Sequence, residues 1–511
     1  MTAALAPTLV AALLALPGGA SPAAGDAAPA RYVIVVGYNG PPAGERPALS
    51  WADDDAARLY RMLLPGARRA WLLTEFDLTS ARLWGSVVDA AAPPTRQELA
   101  RVLGEAFWAM RDEPSGAELV FAFAGHGDVS AGGEGFAVLA DGPFLRSDLE
   151  RQLVAASPAR VNHILIDACA AYFLVGRGAH DQSVPVTSLL ESLTRPGADA
   201  AAWARTGVLV ATNDAAEVHE SAAVGGGVFS FLVRSALAGA ADANRDGRVE
   251  YAEAAAFIAA ASGGIDDPRA RLAIHARAPA QSPHAPLIDM RTAGYQHFLV
   301  VDERAPVHVR LLDSRGLPYA EVHSEASEAP LVLALAGDPF YVVERGAREA
   351  VLVPRSAGAY ALSSLVWSPL GAPRSVDPRA AQLFATQYGP AFLGGFLADD
   401  GHVGPADGER FAVPWAASGA PPPTPPWATL AWTSAAAAGV LGSAAGVALA
   451  GNAFALADLE ARFRETGTLD PALSLQTDTW LTAALVLGGG AAAAAALGGG
   501  FFFLASQEGT P

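Results

Sequence analysis

Short apolar segments that alternate with helical ones place the strongest constraint on the fold of residues 30–290. The apolar runs, rich in Val, Ile, Leu and Phe and too short for helices, are Arg31–Gly37, Leu119–Ala124, Val161–Ile166 and Gly207–Ala211. Helical patterns occupy Ala52–Leu64, Thr95–Met110, Ser147–Ala155, Phe229–Leu237 and Tyr251–Ala260. This alternation predicts an α/β domain whose parallel sheet is covered on both faces. Ligands of such sheets bind beyond the carboxyl ends of the strands.

The pattern changes after residue 290. Residues 291–366 contain strand-like runs separated by turns and no helical periodicity, which predicts a small antiparallel β-domain. Residues 367–426 are rich in Pro, Gly and Ala and end in Pro421-Pro-Pro-Thr-Pro-Pro426, so we predict an irregular, semi-rigid linker there.

Both ends of the chain carry apolar segments that indicate export and membrane attachment. Residues 1–24 combine an apolar run with Pro17, Gly18 and small residues, as a secretory signal peptide does; an uncleaved start is the alternative. Residues 427–457 and 480–505 contain no charged residue and are long enough to cross a bilayer as helices. We therefore predict a transmembrane hairpin with residues 458–479 as its cytoplasmic loop, in preference to a buried Ala-rich hairpin. This topology puts residues 25–426 on the exported side, periplasmic or extracellular.

Residue composition excludes several functional classes. The 511-residue chain contains no lysine, which excludes P-loop, pyridoxal Schiff-base and kinase chemistry. Its one cysteine, Cys169, cannot form an intramolecular disulfide or a multi-cysteine metal site. A net charge of −18 argues against nucleic acid as a partner.

Two of the predicted strands end in residues that suit covalent catalysis. The strand Leu119–Ala124 is followed by Gly125-His126-Gly127, and Val161–Ile166 by Asp167-Ala168-Cys169. In a parallel sheet these ends can face each other across one edge. A thiolate beside an imidazole acts as a nucleophile, and the imidazole then protonates the leaving amine. The amides of Gly127 and Cys169 could form an oxyanion hole.

The His-Gly and Asp-Ala-Cys motifs, 43 positions apart, resemble those of the caspase–metacaspase superfamily of cysteine peptidases (clan CD), including its bacterial members. The segment Leu49-Ser-Trp-Ala-Asp-Asp-Asp-Ala56 is similar to a metacaspase segment ending in Asn-Asp-Ala. The resemblance implies an α/β, caspase-like parallel-sheet sandwich over residues 30–290, with the small all-β domain and the transmembrane hairpin following it. It also implies a His126–Cys169 dyad, and a pocket for a basic P1 side chain lined by Asp55 and Asp167.

Each of these residues also has a simpler interpretation. Cys169 could be a small buried apolar residue. Asp167 could cap local backbone at a strand end, and Asp55 could be an acid in the first turn of a helix. The sequence departs from the family after the nucleophile, where Ala170-Ala171-Tyr172 replaces the usual His-Ser-Gly.

A twelve-residue loop at 242–253 has the oxygen spacing of a calcium-binding EF-hand, with Gly247 at the turn position. We predict bound Ca²⁺, structural or regulatory, rather than a solvated acidic turn. The predicted ligands are Asp242, Asn244, Asp246, Arg248 through its carbonyl, Glu250 and Glu253.

Taken together, these features predict a membrane-anchored, exported cysteine endopeptidase that cleaves after Arg or Lys. Its partners would be a peptide or protein substrate and the lipid bilayer, and its oligomeric state is left open. Two alternatives remain: a catalytically inactive caspase-like scaffold that binds a partner, and a structural Ca²⁺-binding surface protein.

Overall fold

The computed structural model describes residues 28–41, 47–168, 200–212, 220–266, 272–370 and 382–400. Cys169, the predicted signal peptide (1–24) and the two predicted transmembrane segments lie outside the described residues. By its contacts the chain divides into two units, 1–417 and 418–511, and every described residue belongs to the first.

The described strands and helices follow the predicted alternation. The strands are β1 (Ala30–Tyr38), β2 (Ala67–Thr74), β3 (Ala91–Ala92), β4 (Ala117–Gly125), β5 (Gly127–Val129), β6 (Gly135–Leu139), β7 (Gly142–Leu145), β8 (Val161–Asp167), β9 (Thr206–Thr212), β10 (Glu220–Ser221), β11 (Gly226–Gly227), β12 (Arg248–Val249), β13 (Ala273–Arg277), β14 (Ile288–Asp289), β15 (His297–Val301), β16 (Val307–Leu312), β17 (Pro318–Ser324), β18 (Leu331–Leu335), β19 (Tyr341–Arg345), β20 (Arg348–Leu352), β21 (Gly358–Ala361) and β22 (Ser368–Pro369).

The α-helices are α1 (Ala52–Leu63), α2 (Leu78–Trp84), α3 (Arg96–Met110), α4 (Arg146–Asp148), α5 (Ala200–Ala204), α6 (Val228–Ser235), α7 (Tyr251–Ser262) and α8 (Pro390–Asp400). Turns of 3-10 helix occupy Gly85–Ala90 and Leu362–Ser364, and π-helical turns follow α4 and α6 at Leu149–Ala155 and Ala236–Ala240.

Within the described residues the central sheet has seven strands in the order β13-β9-β8-β4-β1-β2-β3. All neighbouring pairs are parallel except β13 with β9, where the edge strand runs antiparallel. The mixed α/β fold with a parallel-sheet core is therefore confirmed. The strands β4 and β8 are direct neighbours at its centre, so their carboxyl ends lie side by side.

Side chains of β1 alternate between two apolar layers. Tyr32, Ile34 and Val36 belong to the layer under α3, while Val33 and Val35 belong to the layer that contains α1, α6 and α7. A strand that is covered on both faces needs apolar residues at every position. Each central strand therefore corresponds to a continuous apolar run in the sequence. Thr95 caps α3 by accepting a hydrogen bond from the Glu98 amide at 3.1 Å, as the capping pattern predicts.

The strands after residue 291 form two further sheets, β18-β15-β21 and β17-β16-β19-β20-β22. Most pairs are antiparallel as predicted, but β15 runs parallel to β21. Their apolar residues belong to the same continuous core as α6 and α7, so these strands pack onto the α/β part rather than enclosing a core of their own. The Glu321 amide donates to Ser235 Oγ at 3.1 Å, which ties β17 to α6.

A helix lies within the segment that the sequence predicts to be irregular (367–426). In α8, Leu393 and Leu397 are buried on one side and join the core. The first amides of this helix donate to the carboxylate of Glu325, from Ala391 at 3.0 Å and Phe392 at 2.9 Å. An acceptor distant in sequence thus satisfies the helix start, which no local sequence pattern signals.

Among the described residues, no helix combines the length and apolar character needed to span a bilayer. The prediction for 427–457 and 480–505 concerns residues beyond that part of the chain.

Candidate active site

The ends of β4 and β8 bring two of the predicted site segments together. Ala124, two residues before His126, pairs with Asp167, two residues before Cys169. Both chains leave the sheet at its carboxyl edge, where ligands of parallel sheets bind. The position of Cys169 itself lies outside the described residues, so the structure shows the approach of the strand ends and not the dyad.

His126 is buried, and a backbone carbonyl holds its ring. Nε2 lies 3.0 Å from the carbonyl oxygen of Pro47. A carbonyl only accepts hydrogen bonds, so this contact places the ring hydrogen on Nε2 and makes Nδ1 the nitrogen that can take up a proton. Sequence analysis missed Pro47, because a main-chain oxygen can come from any residue type.

Glycine is required immediately before His126. A Cβ at Gly125 would lie 2.8 Å from the ring of Phe123 and 3.0 Å from the carbonyl oxygen of Tyr38. Gly127, the predicted oxyanion donor, begins β5 and pairs with Ala137 of β6. The His126 carbonyl accepts from the Val138 amide at 2.9 Å, so a small sheet (β5, β6, β7) braces the backbone that carries the imidazole.

Two polar side chains fix the start of α1, the helix that carries Asp55. Asn39, just after β1, accepts from the Ala52 amide at 2.7 Å and donates to Asp53 at 2.8 Å. The carboxylate of Glu220 accepts from the amides of Ser50 and Trp51 at 2.9 to 3.1 Å. Neither residue was singled out from the sequence, because each bonds to the start of α1 from a distant position in the chain.

Asp55 and Asp167 meet at the start of α6. Asp55 Oδ2 accepts from the Gly227 amide at 2.6 Å. Asp167 Oδ2 accepts from the Ser230 amide at 3.0 Å and from its hydroxyl at 2.5 Å. Both carboxylates therefore accept hydrogen bonds from amides at the N-terminus of α6, a helix distant from both in sequence. The simpler interpretations instead place Asp167 on local backbone and Asp55 in the first turn of its own helix, where Asp55 does lie.

The two acids differ in their charge partners. Asp55 Oδ1 lies 3.2 Å from Arg58 Nη1 and 3.6 Å from Arg234 Nη2. No arginine among the described residues pairs with Asp167. Burial and the nearby charge of Asp55 raise the pKa of Asp167 to about 7, against the hydrogen bonds from Ser230. Burial also raises the pKa of Asp55, against the two guanidinium groups. Of the two acids, Asp167 is thus the one whose carboxylate could still pair with a positively charged group of a ligand.

A cavity of about 340 Å³, including the part open to solvent, leads to these acids. Its walls are apolar side chains of β1, β4, β8, α1 and α6, and its polar lining consists of Asp55, Asp167 and Ser230. An apolar slot with a carboxylate at its base suits the long methylene chain and charged end of a basic side chain.

The predicted calcium loop connects the π-helical turn after α6 to α7. Asp242 accepts from the amides of Asp246 at 3.1 Å and Gly247 at 3.0 Å, and Asp246 accepts from that of Arg248 at 2.8 Å. Asn244 Oδ1 accepts from the Asp246 amide at 3.0 Å.

The last predicted ligands of the loop are bound to protein groups. Glu253 accepts from the amides of Ala243 at 3.1 Å and Glu250 at 3.0 Å. Glu250 lies 3.5 Å from His284. As arranged, no group of three or more His, Cys, Asp or Glu side chains in the described ranges could hold a metal ion.

Comparisons with known proteins assign no family to this chain. No protein-family model and no curated protein sequence matches it. Among the solved structures that align are protein GSU0716 from Geobacter sulfurreducens and the Arg-specific cysteine proteinase gingipain R. The first has 15% identity and a TM-score of 0.29 and covers 48% of this chain and 93% of its own. Gingipain R has 10% identity and a TM-score of 0.26, with 63% of each chain covered. At these scores neither similarity bears on the argument.

The meeting of the two acids at the start of α6 predicts a cost for any side chain at Gly227. A Cβ there would lie 2.6 Å from Asp167 Oδ2 and 3.2 Å from Asp55 Oδ2. We expect Gly227→Ala to lower the free energy of unfolding by about 1–3 kcal/mol, as overpacking does. The measurement is chemical denaturation. Gly104→Ala, on the exposed side of α3 with no heavy atom within 4 Å of the added Cβ, is the matched control and should be neutral or stabilising. Equal effects of the two substitutions would contradict the described packing.

Proposed function

We propose that this chain is a cysteine endopeptidase of caspase-like architecture, in which His126 and Cys169 form the catalytic dyad. One observation carries the proposal: β4 and β8 are adjacent and parallel, and their register puts the strand end before His126 beside the strand end before Cys169. The Pro47 carbonyl supports it, because this contact leaves Nδ1 of a buried imidazole as the proton acceptor.

In the proposed reaction, the Cys169 thiolate attacks the scissile carbonyl carbon while the proton from the thiol rests on His126 Nδ1. The tetrahedral intermediate collapses to a thioester, and the leaving amine takes that proton. Water then attacks the thioester, the imidazole accepts a proton from the water, and the acid product and the thiol are released. Backbone amides near Gly127 and Cys169 would stabilise the oxyanion.

The first test is hydrolysis of peptides by the full chain with Arg, Lys or Asp at P1. We expect Cys169→Ala and His126→Ala each to lower kcat/KM by about 1000-fold or more. Each substitution removes one residue of the proposed dyad, and the other residue cannot carry out the reaction without it. His297→Ala, at a partly buried histidine of β15, is the matched control and should retain full activity. Unchanged hydrolysis in Cys169→Ala, or no cleavage by the wild type, would refute the proposal.

Specificity for a basic P1 residue follows from the proposed role of Asp167. Its pKa of about 7 means that its charge, which a guanidinium would pair with, appears only as the pH rises through neutrality. We expect the ratio of kcat/KM for P1 Arg to that for P1 citrulline, its neutral analogue, to rise between pH 6 and 8. The ratio cancels the titration of His126 and Cys169, which affects both substrates.

Asp167→Asn keeps the acceptor for Ser230 and removes the charge. It should lower the Arg-to-citrulline ratio by roughly 10- to 100-fold at pH 8 and make it independent of pH. A ratio that is flat in the wild type would contradict a role for Asp167 in P1 recognition.

The runner-up function, a catalytically inactive scaffold, is favoured by the bonding of Asp55 and Asp167 to the amides of α6, which accounts for both acids without a substrate. Because Cys169 is the only cysteine, the rate of its alkylation reports its state directly. A slow rate near pH 7, equal in the wild type and in His126→Ala, would support the scaffold over the peptidase.

We propose in addition that the loop 242–253 binds Ca²⁺. The donor types fit Ca²⁺, although their present arrangement does not converge on one point, so the proposal rests on the shared burial of three acids. Burial raises the pKa of Asp242 to about 6, and burial with the charge of Asp242 raises the pKa of Glu253 well above its usual range. Both raised pKa values mean that burying ionised carboxylates in this loop costs free energy. A bound cation would reduce that cost.

The pH dependence of this effect has a definite sign. An acid whose pKa is higher in the folded chain than in the unfolded one binds its proton more tightly when folded. Without a cation, the free energy of unfolding therefore falls as the pH rises from about 4 to beyond 6. We expect Ca²⁺ to raise the Tm more at pH 7.5 than at pH 5. Glu253→Gln, which mimics the protonated acid, should abolish the rise, whereas Glu328→Gln, at an exposed acid, should not. A Ca²⁺ effect that is equal at both pH values or survives Glu253→Gln would contradict the site.

Membrane anchoring through 427–457 and 480–505, with the catalytic part on the exported side, is a proposal that rests on hydropathy alone. Release of the full chain from membranes by alkaline extraction would contradict it.

A further inference from the structure

A second cavity lies between the α/β part and the strands that follow residue 291. It encloses about 310 Å³, including the part open to solvent. Helices α1 and α6 form one side, and the turns after β16 and before β19 form the other. Its charged lining consists of Arg58, Arg61, Arg234, Arg315, Asp313 and Asp338.

Arginine and aspartate side chains share the lining of this cavity. Four guanidinium groups face two carboxylates, and a third, Asp55, lies behind Arg58 and Arg234. Asp338 is shared, at 3.1 Å from Arg61 and 3.5 Å from Arg315. The charge of Asp54, a fourth acid, also acts on Arg58 and Arg234. The arginines and the nearby acids are therefore equal in number, and the feature that distinguishes this cavity is the set of arginine donors that the acids leave without a hydrogen bond.

Some of the arginine donors have no hydrogen bond there. Arg234 is 2% exposed, and its Nη2, 3.6 Å from Asp55, has no hydrogen-bond partner among the described residues. The same holds for Nε of Arg58 and of Arg315. Burial and the charge of Arg58 lower the pKa of Arg234 to about 9, the shift expected where like charges are buried together. A buried donor without an acceptor is costly, so such groups point to a ligand that the site would hold.

Aromatic contacts do not replace that acceptor. Arg315 lies over the ring of Trp84 at 4.5 Å from its centroid, and Arg58 over the same ring at 5.9 Å. These contacts hold the planes of the two guanidinium groups while leaving their edges to donate hydrogen bonds.

We propose that this cavity binds a small tetrahedral oxyanion of the phosphate or sulfate class. The guanidinium groups come from three elements on different sides, so a ligand with acceptor oxygens in several directions matches them better than one planar carboxylate. The limited space excludes a large ligand. The site is independent of the proposed peptidase activity, and its test does not depend on that activity.

The experiment measures Tm and, by isothermal titration calorimetry, Kd for the full chain with phosphate, sulfate, acetate and chloride at equal ionic strength. Phosphate and sulfate also stabilise proteins by exclusion from their surface, but that effect does not saturate. We expect a saturable rise in Tm with phosphate and sulfate that chloride and acetate do not give. A rise without saturation would overturn the proposal, and an equal effect of acetate would overturn the tetrahedral assignment.

Two variants with opposite effects separate binding from general stability. Arg315→Gln, at a side chain that is 21% exposed, should weaken phosphate binding by about tenfold or more. Asp338→Asn, which removes a competing carboxylate with little change in shape, should tighten it severalfold. Arg304→Gln, at a side chain that is 78% exposed and outside the cavity, is the matched control and should leave Kd unchanged. If Asp338→Asn binds phosphate no more tightly than the wild type, the proposed site is wrong, and this outcome can be read even where Arg315→Gln does not fold.

Discussion

One buried carboxylate, that of Asp55, connects the parts of this structure on which function would depend. It belongs to α1, bonds to the amide of Gly227 before α6 and pairs with Arg58 and Arg234. Without these partners a charge at 3% exposure would be expensive to bury, and with them it holds two helices together on the same face of the sheet. The cavity lined by Asp55 and Asp167 lies on one side of this group and the arginine-lined cavity lies on the other. The position of Asp55 therefore constrains both.

The same contacts explain why the two acids of the candidate pocket are not equivalent. The guanidinium groups already counter the charge of Asp55, and the bond from Gly227 fixes its direction. Within the described part of the chain, the hydrogen-bond donors to Asp167 are the neutral amide and hydroxyl of Ser230, so these residues leave a large part of its charge uncompensated when it ionises. A basic ligand would gain more from Asp167 than from Asp55, because the latter would have to exchange one cation for another.

The parts of the fold that depend on periodicity could be predicted from the sequence. The doubly buried strands, the helices between them and the change to strands after 291 each leave a local pattern, and the candidate site motifs follow strands that end at the carboxyl edge of the sheet. Contacts between distant residues leave no such pattern. The Pro47 carbonyl beside His126, Glu220 at the start of α1 and Glu325 at the start of α8 all act through backbone groups or over long separations. The shared core of the two parts was missed for the same reason, since an apolar strand face does not specify what covers it.

The absence of lysine gives these arginine contacts a further physical meaning. Without lysine, the buried permanent cations of the described residues, such as Arg58 and Arg234, are guanidinium groups. A guanidinium is planar, keeps its charge and donates in fixed directions, so a buried pair or triad is specified by geometry as well as by charge. Arg58 and Arg234 illustrate the consequence. Their forks reach Asp55 with some of their donors while others border the second cavity. A change of charge in one of the two cavities would alter the electrostatic potential in the other. This follows because buried groups at these distances are only weakly screened from each other. The acidic pocket and the basic cavity are therefore two sides of one electrostatic unit that is built on α1 and α6.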